Sequence, residues 1–144
     1  MCFALYSASR AVTGLYRPVL ERLGLTYPQY LVMLVLWEHG ERTVKQLGGH
    51  LMLDSGTLSP LLKRLETADL ITRVRDPRDE RSVTVRLTAH GEGLRDKAGA
   101  VPATVASASG MTAAELTTLR DTLVALTDRI TAAAVTVTPE GVRR

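Results

Sequence analysis

Cys2 is the one cysteine of the 144-residue chain, so no internal disulfide can form and the thiol is either an inert small hydrophobe or a reactive nucleophile. A thiolate is the form that attacks a peroxide, and a thiol ionises more readily at a helix N-terminus or beside hydroxyl donors. Cys2 stands where a first helix should begin. Tyr6, four residues on, shares a helix face with it. Tyr16 is fourteen residues on, close to four whole turns, so it projects from the same face but about 21 Å along the axis and cannot touch its own Cys2. Two such helices crossing antiparallel in a dimer would bring Tyr16 of one chain toward Cys2 of the other. Taken one at a time, the tyrosines also fit as ordinary amphipathic core residues.

A second group of residues suits a polyanion. Ser55, Gly56, Thr57 and Ser59 open a helix with short hydroxyl side chains and a glycine, which allow close approach of backbone to a duplex, and the positive end of the helix dipole favours phosphate. Lys63 and Arg64 follow on the same face, suited to phosphates or guanine edges. Arg75, Arg78 and Arg81 are spaced to follow a phosphate backbone or enter a minor groove. The alternative is that these Ser, Thr and Arg residues merely populate a solvated face and turn. His39, His50 and His90 have no metal-ligand spacing to Cys2 or to one another, and no GxGxxG, P-loop or zinc motif occurs, so no metal or cofactor is expected.

The elements that must position these groups are marked by helix-start signals. Thr26 with Gln29, Thr43 with Gln46 and Thr112 with Glu115 each make a capping box. A first helix runs to about Leu23, with Pro18 expected to bend it and Gly24 as its left-handed cap; a second spans 27 to 38, with Trp37 and Met33 as core, and a short third spans about 44 to 51. Asp54 or Ser55 caps a fourth through Ala68, with Leu58, Leu61, Leu62 and Leu65 on one face and Thr57, Ser59, Lys63 and Arg64 on the other. Ile71 to Arg75 and Ser82 to Leu87 read as a hairpin whose charged tip is 76–81. Thr88 caps a fifth helix to about Ser107. A sixth, from Ala113 to about Ala133, carries Leu116, Leu119, Leu123, Leu126 and Ile130 at helical spacing, and 136–144 reads as a loose tail. Short helix, longer helix and basic hairpin, in that order, predict a mainly α fold with a small β wing, a winged helix-turn-helix whose second helix enters the major groove. The winged unit covers 27–87. Apolar residues at both ends of the chain exceed what one small core needs, which marks 1–24 and 108–135 as dimerisation helices within a single 1–144 domain.

Leu53-Asp54-Ser55-Gly56-Thr57-Leu58-Ser59-Pro60-Leu61-Leu62-Lys63-Arg64-Leu65-Glu66, then Asp69-Leu70-Ile71 and Asp76-x-Arg78-x-x-Arg81-Ser82, resemble the MarR family of transcription regulators. Cys2-Phe3-Ala4-Leu5-Tyr6, Leu25-Thr26-Tyr27-Pro28-Gln29-Tyr30 and Leu36-Trp37-Glu38 are similar to its branch of organic hydroperoxide resistance regulators. The resemblance extends to about residue 133. It implies that Pro60 and Asp76 join the DNA-contacting set, and that Tyr16 and Tyr27 reach the reactive cysteine across a dimer interface with Tyr6 nearby. Relatives usually carry several residues ahead of their cysteine, where this sequence has Met1 alone, and some also carry a second, resolving cysteine that is absent here. The implied chemistry is then of the one-cysteine kind: a peroxide converts Cys2 to sulfenic acid, and a small thiol or further oxidation locks the change.

Composition agrees with that range of functions. A hydrophobic share of 45% supports a packed core, the absence of an 18-residue apolar run or a signal peptide points to a cytoplasmic protein, and a net charge of +3 favours a polyanionic partner mildly. Three functions fit: a homodimeric repressor that leaves its palindromic double-stranded operator when organic hydroperoxide oxidises Cys2; a repressor released by a small aromatic or phenolic ligand; and a thiol peroxidase. The last lacks both a resolving cysteine and an arranged base.

Overall fold

The computed structural model describes residues 1–77 and 79–136. The chain forms two compact units, Met1–Val105 and Ala106–Arg144. In the first, α1 (Cys2–Glu21) is followed by α2 (Tyr27–His39), β1 (Arg42–Thr43), α3 (Val44–Leu51), α4 (Ser55–Thr67), β2 (Ile71–Asp76), β3 (Asp79–Leu87) and α5 (Ala89–Ala98). A further helix, α6 (Val101–Ser109), carries the chain from the first unit into the second, which holds α7 (Ala113–Thr136).

Local chemistry explains most boundaries. Gly24 adopts φ +68°, and the Leu25 amide reaches back to the Leu20 carbonyl at 3.0 Å, closing α1 in the left-handed manner favoured by glycine. Pro18 lies inside α1, whose helix continues past it to Glu21. Thr43 and Gln46 cap each other's backbone at 2.9 and 3.2 Å, and Thr112 and Glu115 do the same at 2.8 and 3.3 Å. Thr26 and Gln29 form the same capping box, with the Thr26 amide donating to Gln29 Oε1 at 2.8 Å. Asp54, not Ser55, caps α4.

Three expectations are corrected. The fifth helix does not run to Ser107 but stops at Ala98, because Pro102 has no N–H to offer the Ala98 carbonyl and Gly99 stands at the break. Strand β3 starts at Asp79 rather than Ser82, and Asp76 pairs with Asp79 after a shift of register beyond Arg75, so part of the expected charged tip belongs to the strands. The third is an omission: β1, two residues long and without a strand-like pattern, pairs Arg42 with Val85 and Thr43 with Thr84 to complete a sheet of order β1-β3-β2. The expected tail beyond Thr136 lies outside the described residues.

Helix α2 is the centre of the core. Tyr30, Val32, Met33, Leu36 and Trp37 are buried with Leu20 and Leu25, Leu47 of α3, Leu58, Leu62 and Leu65 of α4, Ile71, Val85 and Leu94. An α2 buried around most of its circumference is what its near-continuous apolar run YLVMLVLW requires. In the second unit, Leu119, Leu123, Val124 and Ile130 of α7 remain exposed on the single chain.

Candidate thiol site and nucleic-acid interface

Helix α4 carries the expected hydroxyl cluster on its exposed side. Asp54 fixes the first turn: its carboxylate accepts from the Thr57 amide at 2.8 Å and the Thr57 hydroxyl at 3.1 Å, and these bonds hold its pKa below the usual carboxylate value. Ser59 donates to the Ser55 carbonyl at 2.7 Å. Pro60 lies inside α4 and cannot donate to the Gly56 carbonyl. Ser55, Gly56, Thr57, Ser59, Pro60, Lys63 and Arg64 are all exposed, while Leu58, Leu62 and Leu65 are buried beneath them.

Charge on this side is sorted. Arg73 of β2 donates through Nε and Nη2 to Glu66 of α4, tying the wing strand to the last turn of α4 and holding the Glu66 carboxyl below its ordinary range. Arg86 pairs with Glu41 at 2.6 Å. Lys63, Arg64 and Arg75 have no carboxylate partner among the described residues. Arg78, and the side chains of Asp76 and Arg81, lie outside the described residues.

Cys2 is the first residue of α1 and its free thiol is exposed. Tyr6 is exposed too, with the Arg10 guanidinium 5.9 Å from its ring centroid. Tyr16 and Tyr27 meet at a centroid distance of 4.9 Å, half-buried between α1 and α2. Burial raises the pKa of both, and for Tyr27 the neighbouring Tyr16 adds to it. Within one chain the tyrosine pair and the cysteine therefore sit apart, as the helix rise requires.

Tyr30 completes this cluster, and its part was missed in the sequence. It is 2% exposed, lies 6.0 Å from Tyr16 and 6.3 Å from Trp37, and its pKa is raised by burial and by both other tyrosines. The signal available was its i+3 spacing from Tyr27. His39 and His50, which lack ligand spacing in sequence, stack at 4.9 Å; among the described residues no group of three or more His, Cys, Asp or Glu could hold a metal ion. No helix among them is long and apolar enough to cross a membrane.

Known proteins share this architecture. Residues 14–98 match the family described as transcriptional regulator SarA/Rot. The organic hydroperoxide resistance transcriptional regulator of Bacillus subtilis (strain 168) is 47% identical over 130 residues, covering 90% of this chain and 88% of the relative. The HTH-type transcriptional regulator TtmR of Methylorubrum extorquens (strain PA1) is 48% identical over 134 residues, covering 93% of this chain and 69% of the relative. Among solved structures, reduced AbfR bound to DNA superposes with a TM-score of 0.74 at 34% identity over 90% of each chain. These relatives are regulators rather than enzymes, which sets the thiol peroxidase aside. The chain belongs to the MarR family of winged-helix transcription regulators, in the branch of organic hydroperoxide resistance regulators.

Proposed function

We propose that the protein is a homodimeric, cytoplasmic repressor that binds a palindromic operator and releases it when an organic hydroperoxide oxidises Cys2. The observation that carries the redox part is the split geometry of the thiol site: an exposed Cys2 at one end of α1 and the Tyr16–Tyr27 pair, 4.9 Å between centroids, toward the other. An antiparallel second copy would complete the site, placing those hydroxyls by the thiol. Phe3, Leu5 and Val12 on α1 and Leu119, Leu123 and Ile130 on α7 are exposed apolar residues that such a copy would cover. In this assembly 1–24 and 108–135 dimerise and 27–87 binds DNA.

Ser55, Gly56, Thr57, Ser59 and Pro60 would meet base edges and backbone in the major groove, with Lys63 and Arg64 on phosphates and the wing, through Arg75, Asp76, Arg78 and Arg81, in the adjoining groove. The Cys2 thiolate attacks the terminal peroxide oxygen; an S–O bond forms, the O–O bond breaks, sulfur loses two electrons, and the alkoxide leaves as an alcohol after taking a proton. A small thiol then condenses with the sulfenic acid, forming a mixed disulfide and releasing water. Loss of the tyrosine contacts shifts the two recognition helices from the spacing of about 34 to 36 Å that successive major grooves demand.

The test is fluorescence anisotropy on DNA from upstream of the gene, with wild type and Cys2→Ser, before and after an organic hydroperoxide. Release by wild type alone supports the redox switch; release by neither removes it, and failure of either protein to bind removes the operator assignment. One observation favours a second reading, release by a small aromatic acid: a cavity of about 300 Å³ lies between Tyr30, Trp37 and Arg95. In that case Cys2→Ser would respond like wild type.

A further inference from the structure

Resting on the redox-switch reading above, the geometry points to Tyr30 and Trp37 as positioning residues that carry the state of the Tyr16–Tyr27 pair to the junction between the recognition helix and the wing. The rings form an unbroken file. Tyr16 touches both Tyr27 and Tyr30, and Tyr30 meets Trp37 edge-on at 6.3 Å. Trp37 is buried, and its indole N–H donates to the Gly91 carbonyl at 2.9 Å.

Gly91 is where the file meets the DNA-binding elements. A Cβ at this position would collide with the Leu70 carbonyl oxygen, so α5 and the Leu70 backbone lie in direct contact. Leu70 joins α4 to β2: its amide donates to the Leu65 carbonyl at 3.0 Å at the end of α4, and its carbonyl accepts from Thr88 at 3.1 Å where β3 ends. A shift of Gly91 therefore moves the point from which recognition helix and wing both depart. No slack exists on that side.

The other side of the file is open. Tyr30 and Trp37 wall a cavity of about 300 Å³ with Leu34, Arg95 and Pro102, so both rings have a second volume to enter. Close packing toward Leu70 and free space toward α6 are what a two-position element requires, because a packed core alone resists small displacements. Removing the Tyr16 contact on oxidation would let Tyr30 relax toward the cavity, and Trp37 would follow.

Trp37 is the single tryptophan of the chain, so its emission reports on the file directly. The experiment uses full-length wild type, Cys2→Ser and Trp37→Phe, each treated with cumene hydroperoxide and titrated with upstream DNA. We expect oxidation to shift wild-type Trp37 emission but not that of Cys2→Ser, and to weaken wild-type DNA affinity about tenfold or more. Trp37→Phe, which keeps a ring but loses the bond to Gly91, should bind DNA within about threefold of wild type when reduced and lose most of the oxidation effect. Release of DNA by wild type with unchanged emission overturns the relay and leaves the redox switch standing; so does a Trp37→Phe protein that keeps the full oxidation effect. If wild type does not release DNA at all, the switch itself fails and the relay with it. Should Trp37→Phe not fold, the wild-type emission result decides alone.

Discussion

Gly91 and Gly93 sit two residues apart on α5, and alanine should have opposite effects at the two. Glycine within a helix costs about 0.5 to 1 kcal/mol relative to alanine, so Gly93→Ala, with nothing within 4 Å of its new methyl group, should stabilise the protein by about that much. At Gly91 the new Cβ meets the Leu70 carbonyl oxygen, a backbone atom that cannot rotate away. Either α5 moves off or the Leu65–Leu70–Thr88 bonds distort. Overpacking costs about 1 to 3 kcal/mol, and displacing Gly91 from the buried Trp37 indole adds about 1 to 3 for an orphaned donor. After the helix-propensity gain, a net loss of about 3 kcal/mol is expected. With an m-value of about 1.5 kcal/mol per M, urea unfolding at one fixed protein concentration should show the Gly91→Ala midpoint lower by about 2 M and the Gly93→Ala midpoint slightly higher. If Gly91→Ala is as stable as wild type, the close approach of α5 to the α4–β2 junction is refuted, and the relay loses its endpoint.

Asp54→Ala should fray the first turn of α4, read as faster amide exchange at Thr57, while Asp54→Asn retains an acceptor and most of the protection. Because the folded Asp54 pKa lies below the reference 3.8, this capping contribution is present above that value and fades as pH falls through the lower, folded one; exchange at Thr57 measured across that window checks the sign. Tyr16, Tyr27 and Tyr30 have folded pKa values above 10.0, so the stability they lend is complete below pH 10.0 and declines as pH rises through those higher values, which alkaline ultraviolet titration and unfolding should show together. Glu66→Arg or Arg73→Glu should weaken DNA binding severalfold with little loss of fold stability, about 0.5 kcal/mol for so exposed a pair, and the double exchange should restore it. Leu123→Asp with Ile130→Asp should yield monomers in sedimentation and abolish operator binding; a monomer whose Cys2 still reacts with hydroperoxide at the wild-type rate would contradict a thiol site shared between chains.

Helix starts were legible because capping is a local transaction: Thr43 with Gln46 and Thr112 with Glu115 need only residues three apart, and both form. The face of α4 was legible for the same reason, since Leu58, Leu62 and Leu65 fix which side is buried and leave Ser59, Lys63 and Arg64 outward. What failed was non-local or weakly patterned. Strand β1 exists only because Val85 and Thr84 offer it partners. The break between α5 and α6 did leave a signal in Gly99 and Pro102, which the helical run of alanines around them obscured.

For the thiol site the division follows the same line. Spacing along one helix placed Tyr6 on the Cys2 face and Tyr16 too far away to touch it, both consequences of a 1.5 Å rise. Spacing could not say that Tyr16 would find Tyr27 and Tyr30 on a different helix, nor that Trp37, read simply as core, would extend the file to Gly91. These contacts depend on how α1 crosses α2, which a single-helix pattern does not encode. The residues proposed to do chemistry stand out by type; those that could transmit its outcome look, in sequence, like ordinary core. Fold stability alone is therefore a poor assay for Trp37, and only a measurement that compares two redox states can separate transmission from packing.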